Sequence, residues 1–337
     1  MRQSLPYDMF DLARSAEEAR RLGKIENIYH KGQSLVWDGK TVLDELWTRH
    51  GGSGLKPEQK QAAQRVLGNI MWGELAAWKI AARLADELEP LEARMAATSQ
   101  AHDEARHFYV MHDYLQRACG DFPRSMSKQS ERLVTAAINA DTMPKKLIGM
   151  QLQIESSALT IFHALRESKV CPVLTDLLTY YEKDEARHVG LGVQLLPTLM
   201  KKMGPAESVA FTTFSFKVAW FSIMALKGSD DDLRLLGVDP RRVAILGKSK
   251  QMLVFEELWK LVPNNRTNIG EYVSNAMEAV AEVLWPDPKA DPSKLARARR
   301  VLATLKDGLQ TIETVLSPDG ESRTPNRRRV PSSTLMN

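Results

Sequence analysis

The sequence predicts an all-α protein built around a four-helix bundle, and three observations carry that prediction. The word Asp-Glu-Ala-Arg-His occurs twice, at Asp103–His107 and Asp184–His188. Each copy follows a further glutamate at the same interval. Glu74 lies 30 residues before Glu104 and Glu155 lies 30 before Glu185, so the two sets superimpose with a single offset of 81. Both intervals are centred on a helix break: residue 89 falls in Glu87-Leu88-Glu89-Pro90, and residue 170 falls in Ser168-Lys169-Val170-Cys171-Pro172. Finally, the 337 residues contain no strand-rich segment, Gly-rich phosphate loop, GxSxG elbow or HExxH.

An antiparallel helix pair brings level those residues that are equidistant from its turn. The glutamates of each pair lie 15 residues from their bend, about 22 Å along the axis at the helical rise. Both pairs therefore meet deep in a bundle. Pro90 and Pro172 suit the first position of the second helix in each hairpin.

Residues 1–56 read as an N-terminal arm, with a short amphipathic helix near Asp8–Leu22 and a mixed segment holding Trp37 and Trp47. A short helix ends near Asp44–Trp47, before the Gly51-Gly52-Ser53-Gly54 break. Residues 57–204 form the bundle. Its helices run from Pro57 to about Leu88, Pro90 to about Ala118, Pro144 to about Glu167 and Pro172 to about Met200. A further helical stretch is expected near Lys128–Ala140, and Pro197 should bend or shorten the last bundle helix.

Residues 205–316 read as additional packing helices, near Pro240–Leu261, Ile269–Leu284 and Pro292–Val315, with an acidic loop at Asp230–Asp232. Ser208–Leu226 is long and apolar, but Lys217 and several hydroxyl residues interrupt it. It reads as a buried helix packed on the bundle, with no membrane span. Residues 317–337 are polar and Pro-rich, a flexible tail. Arg327-Arg328-Arg329 within it reads as solvated.

Composition excludes several classes. A net charge of +4 with no long basic helix gives no case for nucleic acid. Two cysteines, Cys119 and Cys171, without a CxxC pattern fit a reduced, cytoplasmic chain. Met1–Phe10 lacks the continuous apolar run of a signal peptide.

Inside each word the glutamate and histidine stand at i and i+3, on one helix face. One such pair alone is commonly a surface contact. Glu74 and Glu155, however, fall in the apolar stripes of their helices, where a carboxylate is costly unless paired or bound to a metal. Glu74, Glu104, His107, Glu155, Glu185 and His188 thus form the inventory of a carboxylate-bridged two-metal site. Glu104 and either Glu155 or Glu185 could bridge, and the spacing does not decide which. Asp103 and Asp184 sit about 100° around the helix from their glutamates. Asp103 is expected to hold His188 and Asp184 to hold His107, with Arg106 and Arg187 paired to those aspartates.

The repeated DExRH word with its upstream glutamate resembles the ferritin-like superfamily of di-iron carboxylate proteins, over about residues 57–200. It is most similar to the oxygen-activating branch: bacterial multicomponent monooxygenases, phenylacetyl-CoA-type epoxidases and soluble acyl-carrier-protein desaturases. That resemblance implies two iron ions (Fe/Fe, with Mn/Fe or Mn/Mn as alternatives), O₂ and a small, largely apolar organic substrate. Glu104 and Glu185 would stand at the centre of the catalysis. Two electrons would come from a separate reductase or ferredoxin, since the chain has no flavin or iron–sulfur motif. The alternative is a ferroxidase or an iron- or manganese-handling protein. A homodimer is expected, since extra helices beside a bundle often pack against a second copy.

The chain departs from two relatives. Met111 stands where ribonucleotide reductase small subunits carry a radical tyrosine, and Tyr181 stands where arylamine N-oxygenases carry an extra histidine. Tyr109 and Tyr181 are candidates for hydrogen bonding or redox chemistry near the metals, and His163 for an additional ligand. Trp72, Trp78, Phe108 and Phe162 are candidates to line a substrate pocket or simply to fill the core.

Overall fold

The structure, a computed structural model, describes residues 11–261 and 269–304, and among these it is helical with no strand. The N-terminal region holds three helices: α1 (Leu12–Arg21), α2 (Gly23–Ser34) and α3 (Gly39–His50). The sequence suggested a looser arm. Asp11 and Asp38 accept hydrogen bonds from the amides of Arg14 and Thr41, capping α1 and α3. α3 stops at Gly51, whose φ of 68° only glycine adopts freely.

The bundle consists of two hairpins. In the first, α4 (Pro57–Glu87) and α5 (Leu91–Cys119) turn at residues 88–90. Pro90 is the cap of α5, one residue outside the position expected for it. In the second, the rising strand of helix is split in three: α7 (Met143–Leu147), a π-helical segment (Ile148–Ile154) and α8 (Glu155–Ser168). It turns at Lys169, at φ 51°, into α9 (Pro172–Met200). The short α6 (Lys128–Ile138), capped by Ser127, connects the hairpins. A single uninterrupted helix was expected over 144–167. A π turn leaves no mark in residue periodicity, yet it ends at one of the six candidate ligands. Pro197 does not end α9 early; it lies buried inside the last turn.

Beyond the bundle lie α10 (Pro205–Gly228), α11 (Asp230–Leu235), α12 (Pro240–Leu261), α13 (Ile269–Leu284) and a helical stretch over 294–304. The expected acidic loop at Asp230–Asp232 is the first turn of α11, where carboxylates favour the helix dipole. Asp232 there also receives Arg65 at 2.6 Å. α10 is the one described helix long and apolar enough to cross a membrane. It buries Phe211, Ser215, Val218 and Ala219, and Ile223 against Ala281 and Trp285, but Val209 and Trp220 are 68% and 50% exposed. The expectation of a buried helix holds for one face only, because a helix apolar on all sides does not announce which side packs. The end of the expected helix over 292–315, the tail from Ser317, its arginine run and Met1–Phe10 lie outside the described residues.

Two apolar cores fill the bundle, and a charged layer separates them. Leu67, Met71, Met111, Tyr114, Leu177 and Leu178 belong to one core. Ile80, Leu84, Ala97, Leu147, Leu191 and Leu196 belong to the other. Along α4 the chain passes from Met71 through Glu74 to Ala77, crossing from the first core to the second. The six candidate ligands all lie in this middle layer, each no more than 4% exposed.

Candidate metal centre

Each hairpin carries one glutamate on its first helix and a Glu/His pair on its second, so the antiparallel packing brings all six side chains together. They fall into two overlapping groups of four: Glu74, Glu104, His107 and Glu185, and Glu104, Glu155, Glu185 and His188. In each group the donor atoms lie within 4.8 Å of one another. Glu104 and Glu185 belong to both.

The orientation of these two shared carboxylates is informative. Glu104 turns Oε2 toward His107 Nδ1 at 3.4 Å and Oε1 toward His188 Nδ1 at 3.0 Å. Glu185 does the reverse, with Oε1 at 3.2 Å from His107 Nδ1 and Oε2 at 3.0 Å from His188 Nδ1. Each therefore presents one oxygen to each group. Glu74 reaches only the His107 side, at 3.6 Å, and Glu155 only the His188 side, at 3.8 Å. The sequence left Glu155 and Glu185 as alternative bridges; in the structure the second shared carboxylate is Glu185.

A closed ring of charge holds the histidines from behind. Arg106 Nη2 donates to Asp103 Oδ1 at 2.6 Å and to Asp184 Oδ2 at 2.9 Å. Arg187 Nη2 donates to Asp103 Oδ2 at 2.9 Å and to Asp184 Oδ1 at 2.7 Å. Two arginines and two aspartates thus neutralise one another. His107 Nε2 lies 3.1 Å from Asp184 Oδ2, and His188 Nε2 lies 3.3 Å from Asp103 Oδ2. An ionised carboxylate only accepts, so Nε2 carries the proton in both imidazoles and Nδ1 is turned to the centre.

Burial alone would raise the aspartates. For Asp184, the hydrogen bonds from His107 and Trp37 and the charge of Arg187 reverse this and hold the carboxyl well below its usual range. For Asp103, burial is likewise outweighed by His188, and its carboxyl is lowered. Burial pushes Glu74 and Glu155 well above the ordinary carboxylate range, Glu155 further raised by the charges of Glu185 and Glu104. Glu104 and Glu185 are also buried, yet both are lowered, Glu104 by His188 and His107, and Glu185 by a hydrogen bond with Glu155 and then by His188 and His107.

The residues present fit a pair of cations. Four carboxylates facing neutral imidazoles would carry a formal charge of four, which two divalent ions balance, while the outer ring is neutral in itself. Glu104 Oε2, Glu185 Oε1 and His107 Nδ1 are buried and make no hydrogen bond. All three point into the His107 group, a cost that metal coordination would remove. Carboxylates with a few imidazoles are the donor set of hard to borderline ions such as iron and manganese.

The centre also holds Tyr181, a candidate from the sequence, and three residues the sequence did not single out for it, Trp37, Gln100 and Gln151. Trp37, between α2 and α3, donates its Nε1–H to Asp184 Oδ2 at 2.8 Å, and Arg106 lies over its ring at 4.8 Å. Tyr181 stacks on His107 with centroids 4.3 Å apart and donates its hydroxyl to the His107 carbonyl at 2.7 Å. Gln100 and Gln151 reach the centre from α5 and the π segment. Both stand four residues before a candidate ligand glutamate, one helical turn away on the same face.

Other candidates fall away. His163 is 43% exposed and pairs with Glu167 at 3.6 Å, apart from the centre. Tyr109 is 67% exposed. Trp72 hydrogen-bonds the Pro123 carbonyl, Trp78 is 43% exposed and Phe162 is core. Cys119 and Cys171 are free thiols.

None of the four aromatic candidates lines the cavity beside the centre. That cavity, of about 610 Å³, has Glu74 and Glu155 on its wall together with Ile70, Val134, Met150, Ile154, Ala158 and Ile161. Its far side is formed by α10, α12 and α13, with Arg241, Glu282 and Arg300 at that end. The wall is largely aliphatic, interspersed with Asn69, Ser130, Gln153 and Thr160, and carries no aromatic residue among the described ones. The two unshared glutamates thus border the cavity, while the histidines and the charged ring stand behind them.

No protein-family model matches this sequence, and no curated protein does. Among solved structures, a point mutant of an R2-like ligand-binding oxidase with an aerobically reconstituted Mn/Fe cofactor is similar at 18% identity. It covers 71% of this chain and 91% of that chain, with a TM-score of 0.48. An R2-like ligand-binding oxidase with the same cofactor after a long soak is similar at 16% identity, over 90% and 97%, with a TM-score of 0.45. At identity and superposition this low, the chemistry assigned to this chain rests on its own residues.

Proposed function

We propose that the chain is an O₂-dependent di-iron monooxygenase or oxidase acting on a small, largely apolar organic substrate. The observation that carries this reading is the pair of shared carboxylates, each giving one oxygen to either four-donor group beside an apolar cavity. Glu74, Glu104, His107 and Glu185 would hold one ion, and Glu104, Glu155, Glu185 and His188 the other. Two iron ions suit the donors best, with Mn/Fe or Mn/Mn as alternatives. When bound, the pair would supply the oxidation: O₂ and two external electrons with two protons convert a C–H bond to C–OH and water.

The protein's own share is placement and exclusion of water. Asp103 and Asp184 keep the imidazole Nδ1 atoms aimed inward. The Arg106 and Arg187 ring seals the side away from the cavity, where the arginine side chains are 8% and 9% exposed. A cavity of this size accommodates a drug-sized molecule. Its aliphatic wall favours an apolar body against Glu74 and Glu155. Electrons would come from a separate reductase or ferredoxin. We place the protein in the cytoplasm as a homodimer; the exposed apolar side of α10 lends support to the second copy alone.

The test is metal analysis with O₂ uptake. The purified chain should bind two ions, and Glu104→Ala and Glu185→Ala should lose metal and turnover together; full activity in either variant refutes the assignment. Uptake that follows added ferrous iron, with no dependence on an organic substrate, would establish the metal-handling alternative instead.

A further inference from the structure

The candidate ligands of the two halves repeat in sequence with an offset of 81, but three pairs of positions one turn from them differ in kind, and these differences belong together. Four residues before each shared glutamate stand Gln100 in the first half and Tyr181 in the second. Four before each unshared glutamate stand Ile70 and Gln151. Four after each histidine stand Met111 and Gly192. All lie on ligand faces of their helices.

These substitutions assemble an amide relay on one side only. Gln100 Nε2 donates to Glu155 Oε1 at 2.9 Å and to Glu104 Oε1 at 3.1 Å. Carboxylates accept only, so both hydrogens of this amide are committed and its oxygen must face away. That oxygen accepts from Gln151 Nε2 at 3.2 Å. Gln151 fits because residue 192 is glycine: a Cβ there would come within 2.6 Å of Gln151 Cβ. The relay ends at Gln151 Oε1, which is buried without a partner. An unsatisfied buried oxygen costs about 1–3 kcal/mol, so filling space does not account for an amide where the other half carries Ile70.

Around the other group the counterpart Tyr181 stacks on His107 and hydrogen-bonds its backbone. Among the described residues no side-chain amide reaches Glu74. We infer that Gln100, oriented by Gln151, is a positioning residue that holds Glu155 and so makes the Glu155/His188 metal position distinct from the Glu74/His107 position. The inference rests on the two-metal reading above. Oε1 of Glu155, the oxygen that faces His188 Nδ1 at 3.8 Å, is tethered by this amide and its carboxylate is held in a set direction, whereas Glu74 has no such tether. The two positions, equivalent in sequence spacing, differ in affinity and in the freedom of their terminal carboxylate.

The test is anaerobic ferrous or manganous titration of the full chain in two backgrounds. Glu74→Ala leaves the Glu155/His188 set as the one complete four-donor group; Glu155→Ala leaves the Glu74/His107 set. Gln100→Met keeps the side-chain length and removes both donors. It should weaken binding about 10- to 100-fold in the Glu74→Ala background, the usual effect of losing a hydrogen bond to a ligand. In the Glu155→Ala background the change should stay several-fold smaller. Equal losses in both backgrounds, or none in either, overturn the inference. Gln151→Met, further from the ions, should show the same selectivity at smaller size and serves if Gln100→Met folds poorly. Two-ion binding in the unmutated chain without any O₂ reaction would sink the proposed activity and leave this inference standing.

Discussion

The indole N–H of Trp37 donates to Asp184 Oδ2 at 2.8 Å, across 147 residues of sequence. That oxygen also accepts from Arg106 and lies 3.1 Å from His107 Nε2. The N-terminal helices are therefore tied to the centre through the residue that orients one imidazole. Trp37→Phe keeps the ring beneath Arg106 but removes the donor to a buried carboxylate, a loss of about 1.5–3 kcal/mol. Urea unfolding should show a lower midpoint at unchanged slope. An unchanged midpoint would mean that the indole contributes only its area.

The Asp103–Arg187–Asp184–Arg106 ring should be strongly cooperative. Arg187→Met leaves two buried aspartates sharing one guanidinium and should destabilise the fold by about 3–5 kcal/mol. Asp103→Asn in the same chain removes the charge stranded by the first change. The double variant should then be more stable than the sum of the singles by at least about 1 kcal/mol. Additive effects in a double-mutant cycle would show that the ring members act separately.

Gly192 is required by contact, not by backbone conformation. A Cβ would meet Gln151 Cβ at 2.6 Å and Leu152 Cδ2 at 3.1 Å. Gly192→Ala should therefore destabilise by about 1–3 kcal/mol, as overpacking does. This opposes the gain that alanine ordinarily brings to a helix. A rise in melting temperature would show that α9 and the π segment yield easily there.

Cys119 gives the pH test. Burial pushes its thiol up to about 11, with Lys60 pulling down and Cys171 pushing up more weakly. A raised value means the protonated form persists to higher pH, so at pH 8 roughly one molecule in a thousand carries the thiolate. Iodoacetamide labelling should climb about tenfold per pH unit between 8 and 10. Cys119→Ser should abolish most of it, because Cys171 is 0% exposed. A rate that levels off near pH 9 would contradict the shielding of this sulfur.

Much of the architecture was legible because ligand spacing and helix length are local properties. The 30-residue intervals located both hairpin turns to within two residues, and the i, i+3 spacing placed Glu and His on one face. The cross-pairing of Asp103 with His188 and Asp184 with His107 followed from helical pitch alone. Long-range contacts outside the repeated words were not legible. Trp37 sits in a short link between helices, where no period says which way a side chain points. The π segment differs from its flanks by hydrogen-bond register, which composition does not encode. Gln100 and Gln151 stand four residues before their glutamates, so their signal lies in where the two halves of the repeat differ and not in where they match. The exposed side of α10 was hidden for the opposite reason: apolar residues on every face leave no contrast to read.

Glu104 comes from the first hairpin and Glu185 from the second, and each leans into the half of the centre that the other hairpin dominates. An ion in either group would not belong to one hairpin alone: three of its donors would be domestic and the fourth borrowed. Any slackening along the α5–α9 seam would be felt by both ions at once. Substitutions there, even far from the carboxylates, should therefore behave as a single lesion shared by the two halves.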